Sequence, residues 1–216
     1  MSKKLPIIEF ACSHNNGRSP LAGGFGNEYL NELSENGYEV VSSGTHIAEI
    51  EGMLRGEIPV PNAIAAEVLE KALERGILDE RKVIEGILAD EAFQETEAQD
   101  HVLRAAKKFV REEGEFKEEA FKRFNLGNPK STRDQTIANP NTRILLGMGG
   151  MNVEKMPEIY KGRKLPIVGT LLGYASGNPG QEFKAAFGGT LNDYLAMGEV
   201  IRDGVRRSVD RFLESQ

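Results

Sequence analysis

Residues 5–11 read LPIIEFA, a short apolar run that closes on small Ala11 and Cys12. Apolar residues on both of its faces fit a strand buried from two sides, and such strands belong to parallel sheets covered by helices. Three more segments repeat the pattern: YEVVSSGT (38–45), TRILLGM (142–148) and KLPIVGTLLGY (164–174). Helical spacing fills the gaps between them. Leu21, Phe25, Tyr29, Leu30 and Leu33 line a helix from about Ser19 to Glu35, with Pro20 near its start and Gly37 as a stop. Ile64, Ala65, Val68, Leu69, Ala72 and Leu73 mark one face of a helix closed by Gly76. MNVEKMPEIY reads as a helix interrupted or bent near Pro157, and a last helix runs from about Leu191 to Leu213. Strands alternating with helices predict an α/β fold: a doubly wound, four-stranded parallel sheet with helices on both faces.

Between residues 79 and 140 the texture changes to charged and strand-free. Phe93, Val102, Leu103, Ala106, Phe109 and Val110 recur at three and four residues, as do Phe116, Ala120, Phe121 and Phe124. That spacing implies two or three amphipathic helices, then a turn-rich loop, LGNPKSTRDQTIANPN. Residues 1–78 and 141–216 therefore read as one α/β domain, and 79–140 as an inserted helical subdomain whose apolar stripes need something to cover.

Charge and cysteine usage narrow the setting. A net charge of −6 argues against nucleic acid as the partner. The basic cluster Arg202, Arg206, Arg207 and Arg211 is interleaved with Glu199, Asp203, Asp210 and Glu214 at helical spacing, which describes a solvated, ion-paired helix face. The longest apolar runs are far short of the roughly 20 residues of a membrane span, and the hydrophobic region of a signal peptide is missing. A single cysteine forms no intrachain disulfide and suits a reducing cytoplasm. With that cysteine and scattered His14, His46 and His101, neither a zinc site nor any other metal or cofactor is expected.

The loop after the first strand, CSHNNGRS (12–19), carries the chemistry. A buried strand opening through a short polar loop into a helix gathers backbone N–H groups and the positive helix end around one point. Such a nest binds an anion. Ser13, His14, Asn15, Asn16 and Gly17 supply the loop, and Arg18 adds a forked guanidinium for two phosphate oxygens. The same field lowers the pKa of a thiol placed beneath the anion, and Ser19 can donate to the thiolate. Spacing alone leaves two readings of Cys12 open, an activated nucleophile or a small buried core residue.

The wider stretch IIEFACSHNNGRSPLAGGF resembles the N-terminal signature of the low-molecular-weight protein tyrosine phosphatases: a hydrophobic strand, then C-x5-R-S-P and a small residue. Asn15 matches the asparagine that holds the strained loop backbone in that family. Ser42-Ser43-Gly44-Thr45 matches the stretch after its second strand. ILLGMGGMNVEKM is similar to its third strand and next helix, and KLPIVGTLLGYASGNPGQEF to its fourth strand and next loop. The resemblance spans 5–78 and 141–213 and implies a cytoplasmic phosphatase acting on a phosphorylated protein or a small phosphomonoester. It implies two-step phosphoryl transfer, with Cys12 attacking phosphorus, Arg18 and the loop amides stabilising the equatorial oxygens, and water hydrolysing the phosphocysteine.

One departure is large. Where the family places an Asp-Pro pair whose acid protonates the leaving oxygen, this chain has Asn178-Pro179, and Gly180-Gln181 replace the adjoining aromatic residue. An amide donates no such proton, and general acid catalysis contributes roughly 10²–10⁴-fold. Glu182 is the first candidate substitute and Asp134, an acid from the insertion, the second, although Glu182 reads better as an ordinary exposed glutamate. The rival reading is a non-catalytic anion-binding or regulatory protein that keeps the loop without the acid. Arsenate reduction with an external thiol is a third; the version using further cysteines of the chain is excluded. Gly147, Gly149 and Gly150 approach a dinucleotide fingerprint, but Asn152 takes the third glycine position and no acid stands at ribose distance, so a tight turn is the better account.

Overall fold

The computed structural model describes residues 4–77, 96–127, 131–182 and 186–216, and only the backbone of 96–98 and 131–133. In chain order the elements are β1 (Ile7–Cys12), α1 (Arg18–Glu32), β2 (Glu39–Gly44), α2 (Ile47–Arg55), α3 (Asn62–Glu74), α4 (Thr96–Arg123) and β3 (Ser131–Gln135). β4 (Thr142–Gly147), α5 (Gly150–Glu154), α6 (Met156–Ile159), β5 (Ile167–Thr170), α7 (Leu171–Ser176) and α8 (Leu191–Glu214) complete it. The strands form one parallel sheet in the order β3-β2-β1-β4-β5.

All four expected strands are present, and a fifth joins them at the edge. β3 comes from STRDQ, inside the stretch read as a turn-rich loop, and pairs with β2 alone. An edge strand has neither a second ladder nor two apolar faces to satisfy, so it carries no hydrophobic signature. The fourth segment is split. Only Ile167–Thr170 is strand, because the Thr170 hydroxyl accepts the Gly173 N–H at 3.1 Å and turns the chain into α7.

Side chains alternate along β1. Ile8, Phe10 and Cys12 face a core built with Leu21, Ala22 and Phe25 of α1 and Tyr194, Ile201, Val205, Val209 and Phe212 of α8. Ala11 faces the other layer, with Leu145, Met156 and Tyr160. Helices thus cover both faces of the sheet. Gly26 lets α1 lie close on it, since a Cβ there would sit 3.0 Å from the Phe10 ring and 3.1 Å from Val40. Glu9, fully buried, points to the face opposite Cys12 and accepts hydrogen bonds from Ser43 Oγ at 2.8 Å and Thr142 Oγ1 at 3.1 Å.

A separate core joins α3 and α4 through Val60, Ala65, Val68, Leu69, Ala72, Val102, Ala105 and Phe109. Where two or three helices are expected, the described residues form one, α4, which carries the stripes of 102–110 and 116–121 and passes through Gly114 without a break, with Phe124 just past its end. Helix in 79–95, with Phe93 on its stripe, lies outside the described residues. The helix bent at Pro157 is two short helices, with Pro157 in the first turn of α6, where a missing N–H costs nothing. Two arginines of α8 meet acids at the expected helical spacing, Arg202 with Glu199 and Arg207 with Asp203, but Arg206 reaches across to Glu32 of α1 at 2.7 Å and Arg211 donates to the Tyr174 carbonyl at 2.7 Å. No described helix is long and apolar enough to cross a membrane.

Candidate active site

The loop 13–17 leaves the carboxyl end of β1, between β2 and β4, where the strand order reverses direction and open α/β sheets bind ligands. Cys12 is 3% exposed. Its Sγ accepts the Asn15 N–H at 3.1 Å and the Ser19 hydroxyl at 3.0 Å. The single Ser19 hydroxyl proton has two further acceptors, Asn15 Oδ1 at 3.0 Å and the Ser43 carbonyl at 3.1 Å. A charged sulfur would outbid both neutral oxygens for it.

Neighbouring elements hold the loop. The Thr45 and His46 N–H groups donate to the Cys12 and Ser13 carbonyls at 2.8 and 2.9 Å. Asn152 Nδ2 donates to Thr45 Oγ1 at 2.9 Å and Ser13 Oγ at 3.3 Å. Gly44 has to be glycine-sized because a Cβ would come within 3.0 Å of the Asn15 nitrogen. Gly147, Gly149 and Gly150 take none of the left-handed angles a tight turn would ask for; Gly147, at the end of β4, instead allows close packing, since a Cβ there would meet Asn152 and Val153 at 3.0 Å. α1 starts at Arg18 with no side-chain cap and no acid in its first turn, so its free N–H groups and positive end face the loop.

Asn15 sits at φ 54°, the left-handed region. Alanine there would keep the strain and lose the acceptor for Ser19, whereas glycine would lose only the acceptor. Strain of this kind is worth about 1–2 kcal/mol. Asn15→Gly is therefore expected to be more stable than Asn15→Ala by about 1 kcal/mol. Urea midpoints at unchanged slope measure the difference, and equal midpoints would contradict a strained position 15.

Two site residues escape the sequence reading. α4 docks on the loop: Asn16 Nδ2 donates to the Val110 carbonyl at 2.9 Å and to Glu113 Oε2 at 3.4 Å. The Glu113 carboxyl lies so close against Gly17 that a Cβ on that glycine would overlap it. Burial pushes the Glu113 carboxyl above the usual carboxylate range, although Arg18, the Asn16 hydrogen bond, His14 and Lys117 pull it back. Tyr194 of α8 is 1% exposed, and its hydroxyl has no hydrogen-bond partner among the described residues. Burial, then the negative charges of Glu113 and Cys12, hold that phenol well above the usual tyrosine value, against the pull of Arg18. Arg18 is half-buried, and its positive charge acts on both Glu113 and Tyr194. A signal for Glu113 was present. It stands on the stripe of Phe109, Phe116 and Ala120, where an acid interrupts an apolar face.

The remaining candidates lie apart. Asn178 is exposed, and its bonds stay in its own turn: its N–H donates to Ser176 Oγ at 3.2 Å and its carbonyl accepts the Gln181 N–H at 3.0 Å. Glu182 Oε1 accepts the Gly150 N–H at 2.7 Å. Asp134 is exposed on the edge strand. Among the described residues no bond links these three to Cys12 or Arg18. His14 faces a carboxylate, with Nε2 2.8 Å from Glu51 Oε1 of α2, while its Nδ1 is buried without a described partner. No group of three or more His, Cys, Asp or Glu side chains able to hold a metal occurs among the described residues.

Strand order, loop position and covering helices together define the fold of the low-molecular-weight protein tyrosine phosphatases. Compared by sequence, the chain matches no family model and no curated protein. Among solved structures it is similar to a low-molecular-weight phosphotyrosine phosphatase from Vibrio cholerae O395, with TM-score 0.54 and 12% identity over 97% of this chain and 98% of that one. A Bacillus subtilis low-molecular-weight protein tyrosine phosphatase gives 0.51 and 16% over 96% and 97%. The YwlE arginine phosphatase from Geobacillus stearothermophilus gives 0.50 and 15% over 98% and 95%.

Proposed function

We propose that the chain hydrolyses phosphomonoesters through a phosphocysteine formed on Cys12. The observation that carries this reading is the pair of hydrogen bonds onto Cys12 Sγ, from the Asn15 N–H and the Ser19 hydroxyl. Two hydrogen-bond donors thus converge on this one sulfur, at the end of β1 beside the positive start of α1. The bound phosphoryl group sits over that sulfur, its equatorial oxygens held by the N–H groups of residues 13–18 and by the Arg18 guanidinium. The thiolate attacks phosphorus, the ester oxygen leaves, and water then attacks the phosphocysteine to release phosphate and restore the thiolate. Positioning and fixed positive charge do most of the catalytic work in such transfers. The similar solved structures include both phosphotyrosine and arginine phosphatases, so the substrate is proposed only as a phosphorylated protein or small phosphomonoester.

Trapping tests the reading. Rapid acid quench of the chain with p-nitrophenyl phosphate, followed by peptide mass analysis, is expected to place one phosphoryl group on the Cys12 peptide. Labelling elsewhere, or none during turnover, overturns it. The second reading, a phosphate-binding protein without turnover, is favoured by the amide at 178 and the self-contained bonds of its turn; it requires phosphate binding with no release of p-nitrophenol.

A further inference from the structure

The geometry points to Glu113 of α4 as the acid that protonates the leaving oxygen, replacing the acid missing at position 178; this inference rests on the phosphocysteine reading. Four observations converge on it. The Glu113 carboxyl lies directly against Gly17, in the loop that cradles the phosphoryl group, in space that any side chain at 17 would fill. Asn16 of the same loop ties α4 down on both sides of that contact, through Val110 and Glu113 itself. The Tyr194 hydroxyl, buried and without a described partner, lies within the electrostatic reach of Glu113, Cys12 and Arg18. A buried phenol of this kind wants an oxygen partner, and a bound ester supplies one. Finally, Asn178 is an exposed amide, Glu182 accepts the Gly150 N–H, and Asp134 stands exposed on the edge strand, none of them bonded to the loop among the described residues.

Atoms and protons balance over two steps. The Cys12 thiolate forms the S–P bond as the P–O bond to the leaving group breaks, and the Glu113 carboxyl gives its proton to that oxygen, releasing a neutral alcohol or phenol. In the second step a water oxygen attacks phosphorus and its proton passes to the Glu113 carboxylate. The S–P bond breaks, phosphate leaves, and thiolate and protonated carboxyl are restored. Burial suits Glu113 to this, because a carboxyl raised above its ordinary range still holds its proton where an exposed one has lost it. The charged groups acting on it are Arg18 and His14 around the loop and Lys117 one turn further along α4, and it acts in turn on Tyr194 of α8.

The test compares two esters by kcat/KM, which reports the cysteine phosphorylation step alone. Phenyl phosphate has a poor leaving group that needs the proton, and p-nitrophenyl phosphate a good one that needs it little. Glu113→Gln, which keeps the shape and the acceptor for Asn16, is expected to lose roughly 10²–10⁴-fold on phenyl phosphate and less than about tenfold on p-nitrophenyl phosphate, with Glu113→Asp between. The fall in phenyl phosphate kcat/KM as pH rises through the Glu113 titration should vanish in Glu113→Gln. Equal losses on both esters, no loss on either, or a surviving alkaline limb overturns the assignment. Phosphocysteine trapped on Cys12 in Glu113→Gln with p-nitrophenyl phosphate keeps the two claims apart. If it forms while the esters show no difference, the acid assignment fails and the cysteine mechanism stands. If the unsubstituted chain traps nothing on Cys12, both fall.

Discussion

Cys12→Ser is expected to lose roughly 10⁴-fold or more of p-nitrophenyl phosphate turnover while still binding inorganic phosphate. The loop acts differently on the two atoms. Serine Oγ can accept the same two hydrogen bonds, from the Asn15 N–H and Ser19. An alcohol is nevertheless a far weaker nucleophile than a cysteine sulfur. The nucleophile is lost and the cradle is not, because the cradle is backbone. Apart from the Asn15 N–H, which donates to the sulfur, the N–H groups of the loop, the start of α1 and Arg18 are independent of it. Steady-state kinetics and calorimetric titration with phosphate read the two properties separately. A serine variant retaining a tenth of the activity would place the nucleophile elsewhere. Loss of phosphate binding together with turnover would mean that the sulfur organises the loop rather than attacking from beneath it.

What the sequence made legible was local. The strand, polar loop and helix at 5–35 announced themselves because a doubly buried strand, a C-x5-R spacing and helical periodicity are all written within a few residues. The same holds for the turn at Gly76, which takes φ +60°, and for the helix break beside Pro157. What stayed hidden depended on chain distant in sequence. STRDQ becomes strand only because β2 offers it a ladder. Gly114 stays helical because one glycine costs only about 1 kcal/mol in a helix interior, which packing of α4 on α3, α1 and α8 offsets. Glu113 reaches Gly17 across nearly a hundred residues, so no local window joins them; only its intrusion on an apolar stripe could have marked it. Asn178 was placed by order and spacing, and those fix its rank after β5 but not the way Thr170 and the left-handed Gly177 fold its turn.

Phe10→Ala is expected to lower unfolding free energy by about 3–5 kcal/mol, or roughly 6–20 °C in melting temperature for a chain of this size. Phe10 is fully buried on the face of β1 that also carries Cys12 two residues on. Its ring touches the surface of α1 at Gly26, where the helix has no side chain to swing into a void. β1 is held between β2 and β4 by ladders on both sides, so the strand cannot shift to refill the space. A cavity that cannot collapse costs the most. Truncating exposed Ile64 on α3 should cost within about 0.5 kcal/mol by comparison. Thermal melts of the two variants give the contrast directly. A Phe10→Ala loss as small as that of Ile64→Ala would mean that α1 and α8 can close on the sheet without the ring. The loop at the end of β1 would then rest on its bonds to Thr45, His46, Asn152 and α4 rather than on the packing of that ring.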